Sequence, residues 1–253
     1  MKNIFVVLIS SLLYFASCNI EPNIEYLSFD YGYEYYPTEV GKFIIYDVDS
    51  IVFDLTSNGK LIDTTSYQVK EEIVDTITDN SGRTAFIIHY STRDNSSDNW
   101  TIQKVYTTVI DNDRVERTED NLRFVKMVFP LRKEASWDGN QLFPSEGFII
   151  TVRGETIDIF KNWTSSIIDK NVAENINTQQ FDDVLIIHHA DYENNIERRF
   201  VEEKYARNVG LVSKKMLILD TQCGGTLANC EGIPWEEKAE KGFILNMAVN
   251  SYN

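Results

Sequence analysis

Basic charge is scarce in this chain. It carries 24 Lys and Arg against 39 Asp and Glu, a formal net charge of −15 over 253 residues. That balance repels phosphate and excludes nucleic acid as a partner. It also leaves no basic patch for an anionic membrane surface. Proline is rare, at 5, and histidine rarer, at 3. No Gly-rich phosphate loop and no Gly-x-Ser-x-Gly elbow occurs, so phosphate binding of that kind and the usual serine-hydrolase geometry have no signature. No apolar run long enough for a membrane-spanning helix follows residue 18.

What is present supports a folded, extended-chain protein. Hydrophobic residues make up 43% and aromatics 12% of the chain, ample for a core, so disorder is not the class. β-Branched and aromatic residues concentrate in segments 42–48, 50–55, 66–76, 84–92, 100–110, 114–119 and 122–129. The pattern returns at 148–152, 155–160, 184–190, 196–203, 210–219 and 242–252. Polar turns separate these runs, among them Asp79-Asn80-Ser81-Gly82 and Asp111-Asn112-Asp113. The spacing predicts a mainly β fold, an antiparallel meander forming a curved sheet, half-barrel or sandwich. Helices are expected to be few and short, at 165–175 and 234–241.

The N-terminus reads differently. Lys2 precedes an apolar run at 4–16, broken only by Ser10 and Ser11. At ~1.5 Å per residue this run spans about 20 Å, too short for a bilayer core of ~30 Å, and so reads as a signal peptide over residues 1–17. Its end, Leu13-Tyr14-Phe15-Ala16-Ser17-Cys18, resembles a bacterial lipobox, departing from the usual aliphatic residue at Phe15. The resemblance implies a diacylglycerol thioether on Cys18, acyl chains such as palmitate, and a cell-envelope lipoprotein of the outer membrane, facing the periplasm or the cell surface. One acyl chain holds a protein only marginally, and several on one residue hold it firmly. Loss of the leader with Lys2 leaves a charge of −16. Residues 18–34 then form the lipidated Cys and its tether, and 35–253 a single β-rich domain.

A second likeness covers both ends of the remaining chain. Glu203-Lys204-Tyr205-Ala206-Arg207-Asn208-Val209-Gly210-Leu211-Val212 resembles a Tyr-Ala-x-x-Val-Gly-Leu-Val stretch of uncharacterised, Bacteroidota-like lipoproteins. Tyr36-Pro37 and Gly41-Lys42-Phe43-Ile44-Ile45-Tyr46 are similar to their opening. The resemblance implies a strongly curved antiparallel sheet like that of lipoprotein carriers, and it brings no catalytic residues. Gly210 would admit a sharp bend, with Tyr205 packed at the corner.

Three cysteines are an odd number for an exported chain. With Cys18 lipidated, Cys223 and Cys230 bracket a short Gly-rich loop and are expected to form a disulfide. No His or second Cys pair completes a metal site around them, and no cofactor is expected. His188 and His189 are adjacent and would point to opposite faces of a strand. The segment Phe29, Tyr31, Tyr33, Tyr35 would form an aromatic ladder on one face of a strand, the best candidate for ligand contact.

No catalytic constellation emerges. The reading is a membrane-anchored, non-enzymatic binding or scaffold protein whose partner is a protein, glycan or lipophilic ligand. Two alternatives carry their own marks. A carrier of a lipophilic ligand needs a contiguous apolar cavity of several hundred Å³. A glycan-acting enzyme needs two neighbouring carboxylates, at least one of them desolvated, in an aromatic-lined cleft.

Overall fold

The computed structural model describes residues 30–56, 59–223 and 230–253. Residues 31–253 form one compact unit. Its strands are β1 (Phe43–Thr56), β2 (Gly59–Thr78), β3 (Thr84–Arg93), β4 (Thr101–Ile110), β5 (Arg114–Glu119), β6 (Leu122–Val128) and β7 (Ser136–Trp137), then β8 (Ile149–Val152), β9 (Glu155–Asp158), β10 (Ser165–Ile176), β11 (Gln179–Glu193), β12 (Glu197–Ala206), β13 (Gly210–Asp220) and β14 (Lys241–Tyr252). A 3-10 turn at Tyr33–Tyr35 and one short helix, α1 (Trp235–Lys238), complete the described elements.

Twelve strands make one antiparallel sheet, ordered β6-β5-β4-β3-β2-β1-β14-β13-β12-β11-β10-β7. Two meanders, β1 to β6 and β10 to β14, are joined where the last strand pairs with the first, from Ile44↔Tyr252 to Phe53↔Gly242. A separate hairpin pairs β8 with β9. The two edges of the large sheet approach each other. Val125 of β6 donates its N–H to Gly139 O at 2.8 Å, just past β7, and the Trp137 indole N–H donates to Val125 O at 2.8 Å. The sheet is therefore a nearly closed barrel rather than a sandwich. The contact at Val125 covers part of the edge that an open sheet exposes.

Bulges supply curvature. Register slips occur at β1/β14, β2/β3, β3/β4, β5/β6, β11/β12 and β12/β13, and three times between β10 and β11. The turns follow local chemistry. Asp79 Oδ1 accepts from the N–H groups of Ser81 and Arg83 at 2.8 and 2.9 Å, pinning the β2–β3 turn. Gly210 opens β13 with φ at +106°, the bend expected there, and Tyr205 is buried beside it. The largest core cluster joins Val115, Val125 and Met127 to Ile167, Leu185 and Ile187. Each such side chain contributes about 1.5–3 kcal/mol on burial.

One expected element is overturned. Segment 165–175 lies in strand β10, not in a helix. Its Ile and Val spacing suits either period over so short a run. Asn171, with φ at +57°, breaks any helix, and pairing to β11 satisfies the backbone instead. The other expected helix exists, reduced to α1.

Candidate functional site

The chain folds around a cavity of about 210 Å³. Its walls come from β1, β2, β3, β4, β5, β6, β12, β13 and β14, so it occupies the barrel interior. It extends from the buried Tyr46, Glu203 and Tyr205 to the exposed Asn253. Apolar wall is supplied by Ile44, Ile73, Ile88, Leu211, Leu245 and Met247, and five tyrosines line it: Tyr36, Tyr46, Tyr90, Tyr106 and Tyr205. Arg117, Lys126 and Lys214 face Glu71, Glu119 and Glu203 within it.

Glu203 is the centre of the polar network. Its Oε1 accepts Lys126 Nζ at 2.7 Å and lies 3.2 Å from Lys214 Nζ. Its Oε2 accepts the Tyr205 hydroxyl at 2.5 Å and pairs with His189 Nε2 at 2.9 Å. These contacts use the full acceptor capacity of a carboxylate. Burial alone would raise the Glu203 carboxyl, but Lys126, Lys214 and His189 together hold it well below the ordinary range. Glu119 behaves alike: burial is outweighed by Lys126, Arg117 and Lys214, and it is held at about 2. Lys214 is pushed up, because Glu203 and Glu119 outweigh the burial of its ammonium.

A second knot lies beside it. Arg117 grips Glu71 through both terminal nitrogens, at 3.1 and 2.5 Å. Its Nε lies 2.7 Å from Glu119 Oε1, near enough for an ion pair without hydrogen-bond alignment. The Tyr36, Tyr46 and Tyr205 phenols are pushed up, mainly by burial, and are neutral hydroxyls at physiological pH.

Bulges aim these groups. On β6 the register passes from Glu116↔Val125 to Val115↔Met127, so Lys126 is the extra residue. On β11 it passes from His188↔Glu202 to Ala190↔Val201, so His189 is the extra residue. Both reach Glu203. Lys214 stands directly opposite Glu203 on the neighbouring strand. Strand alternation did contain one hint: Glu203 is in phase with the buried Arg199, Val201 and Tyr205, an acid on an otherwise covered face.

His189 also meets Ser165 Oγ, 2.9 Å from Nδ1. Burial pushes the imidazole down, so it is neutral. Since a carboxylate only accepts, Nε2–H donates to Glu203 and the serine hydroxyl donates to Nδ1. This Ser–His–Glu chain has the connectivity of a hydrolase triad. Access is missing: Ser165 is 2% exposed and lines no part of the cavity. The Gly139 backbone packs on it so closely that a Cβ there would come within 2.6 Å of Oγ. The chain is a structural relay holding β10, β11 and β12 together. His188 points elsewhere, to Glu202 at 3.1 Å. Among the described residues no group of three or more His, Cys, Asp or Glu is placed to hold a metal.

The expected aromatic ladder takes another form. Tyr33 and Tyr35 lie in a 3-10 turn, not a strand. Tyr31 and Tyr33 are 45% and 37% exposed and stack with centroids 5.6 Å apart, while Tyr35 is 1% exposed. A strand would have set the three on one face. Gly32, at φ +86°, instead turns the chain so that Tyr35 is driven inward. Its hydroxyl donates to Asp183 and its ring lies under the Arg207 guanidinium at 4.7 Å. This segment crosses one end of the barrel. Leu131 N–H donates to Tyr31 O at 3.3 Å, the Tyr33 hydroxyl to Asn112 O at 2.9 Å, and Asn208 N–H to Glu34 O at 2.7 Å. Tyr36 and Pro37 follow and enter the cavity wall. Phe29 and Cys18 lie outside the described residues. Cys223 and Cys230 are joined by a disulfide, with Cα atoms 5.5 Å apart.

The cavity carries part of each mark of the alternative readings: an apolar wall, and two buried acids, Glu119 and Glu203, among tyrosines. Its apolar wall is interrupted by the charged side chains of Arg117, Lys126, Lys214 and their carboxylate partners. Its clustered acids Glu119 and Glu203 are held low rather than raised, so neither stores the proton a general acid needs.

No family model and no curated protein matches the chain. A crystal structure of a protein described as exported, with a YmcC-like fold, from Bacteroides fragilis NCTC 9343 aligns over 86% of this chain and 98% of its own, at 10% identity and TM-score 0.41. A protein described as a lipoprotein, from Parabacteroides distasonis ATCC 8503, aligns over 87% and 98%, at 10% identity and TM-score 0.36.

Proposed function

We propose that this protein is a lipid-anchored, non-enzymatic component of a bacterial cell envelope that binds a small ligand inside its barrel. The observation that carries the binding role is the cavity: about 210 Å³, walled by nine strands and lined by tyrosines and paired charges. A barrel built only for stability would fill this space with packed side chains. The anchor is supported by the leader at 4–16 and the Ala16-Ser17-Cys18 sequence. Attachment to the outer membrane, facing the periplasm or the cell surface, is part of the same reading.

Each half has its own test. Changing Cys18 to Ser is expected to release the protein from membrane pellets into the soluble fraction, and mass spectrometry of the native protein should find Cys18 acylated. Unchanged sedimentation of the variant would remove the anchor. For the cavity, a thermal-shift screen of small polar ring compounds should raise the melting temperature of the native protein. The Met247→Trp variant, which fills the cavity, should give no shift with the same hits. Hits that act equally on both proteins bind elsewhere, and a screen without hits removes the binding role.

A further inference from the structure

Resting on the reading of the cavity as a ligand site, we propose that the ligand is a small organic carboxylate carrying a flat ring. Its acid group sits on Lys126 and Lys214, and its ring lies among Tyr36, Tyr46 and Tyr90.

Donor accounting carries the argument. Lys126 and Lys214 both approach a single oxygen, Glu203 Oε1, at 2.7 and 3.2 Å. The two nitrogens therefore lie no farther apart than the sum of those distances, and both line the cavity. An ammonium has three donors, and each spends one on Glu203. The acceptors nearby are fewer than these donors: Glu203 has four partners, Glu71 takes both terminal nitrogens of Arg117, and Glu119, paired to Arg117 Nε, also attracts both lysines. Donors outnumber the acceptors that remain. A ligand fitting this end must bring acceptors, and a charged oxygen pair suits two ammonium groups best.

Charge and size narrow the class. Four cationic side chains, Lys42, Arg117, Lys126 and Lys214, and three acidic ones line the cavity, an excess of one positive charge. A monoanion neutralises that excess, whereas a phosphate dianion overshoots it and costs more to desolvate. A cationic ligand would meet four cations against three carboxylates. The body of the ligand faces aromatic wall: Tyr90 and Tyr106 pack at 5.4 Å, and Tyr36 and Tyr205 at 5.8 Å. Such surfaces favour a planar ring.

The test is calorimetric titration of full-length protein in detergent with 4-hydroxybenzoate and, as its neutral counterpart, 4-hydroxybenzamide. The acid is expected to bind at least tenfold more tightly. Lys214→Gln should bring the two within about threefold, and Lys214→Arg, which keeps the charge, should preserve the preference. Circular dichroism confirms that the variants fold, and Lys126→Gln gives an independent second reading. Equal affinity of acid and amide for the native protein overturns the carboxylate assignment. So does a preference that survives Lys214→Gln. Binding of the amide alone or of both equally leaves the cavity a ligand site of another class, whereas loss of all binding, with no hit in the thermal screen, removes the site itself.

Discussion

Lys126 Nζ donates to Glu203 Oε1 at 2.7 Å across 77 positions of sequence, with both side chains buried. This pair ties β6, an edge strand, to β12 across the barrel interior. A buried ion pair is weak evidence for stability, since an apolar replacement can serve as well. Its removal on one side is a different matter.

Glu203→Gln leaves the buried Lys126 ammonium and the half-buried Lys214 ammonium without the carboxylate they share. It is expected to lower the unfolding free energy by about 3–5 kcal/mol. Lys126→Met should cost less, roughly 1.5–3 kcal/mol, because Lys214, His189 and Tyr205 still hold the acid. Urea unfolding followed by circular dichroism measures both. A Glu203→Gln midpoint equal to that of the native protein would show that the network does not hold the interior.

Stability should fall with acid in two windows. His189 is pushed down by burial, so at pH below about 6.5 the unfolded chain takes up a proton that the folded one resists. Its contribution is complete above that pH and is lost as pH falls through the folded value. Glu203 and Glu119 are also depressed; their contribution is complete above about 4.5 and is lost as pH falls, for Glu119 toward about 2. Urea midpoints at pH 7.5 and 5.5 isolate the first window. The native protein should lose stability between them by more than His189→Gln does, and an identical loss in both would place the effect elsewhere.

Gly242→Ala should be severe. The residue sits in β14 at φ +114°, and a Cβ would stand 2.0 Å from Ile218 O on the neighbouring strand. A loss of at least about 2 kcal/mol is expected from backbone strain and displaced pairing. Gly82→Ala is the control, because at φ +79° it meets nothing within 4 Å. Thermal melts of the two should rank clearly, with Gly242→Ala much the lower.

Reduction of the Cys223–Cys230 disulfide releases only a short loop. Loop-closure entropy sets its contribution at about 2.5 kcal/mol. The melting temperature in dithiothreitol should drop by a few degrees, and the Cys223→Ser/Cys230→Ser double variant should match the reduced protein without further response to reductant.

Much of the fold was legible. Segments 114–119, 122–129, 210–219 and 242–252 appear as β5, β6, β13 and β14 within a residue or two, and the hairpin at Asp79 has the turn its residues announce. The reason is that alternation and turn chemistry are local properties. Two expectations failed where local signals were equivocal: the Ile and Val spacing of 165–175 suits helix or strand, and the tyrosines after Phe29 follow Gly32 into a turn. The cavity was much less legible. Glu203 alone showed a sign, an acid in phase with Val201 and Tyr205.

Residue order by itself determined the strand content, the turns, the cysteine pair and the acidic surface, because each depends on neighbours along the chain. Only the tertiary structure decided which charges meet inside. Lys126 and His189 reach Glu203 through bulges that slip the strand phase by one residue, and a slip is set by pairing between strands, not by either strand alone. Lys126, Arg117 and Glu119 lie far in sequence from Glu203 and Lys214, and closing one curved sheet on itself is what puts them in a single small space.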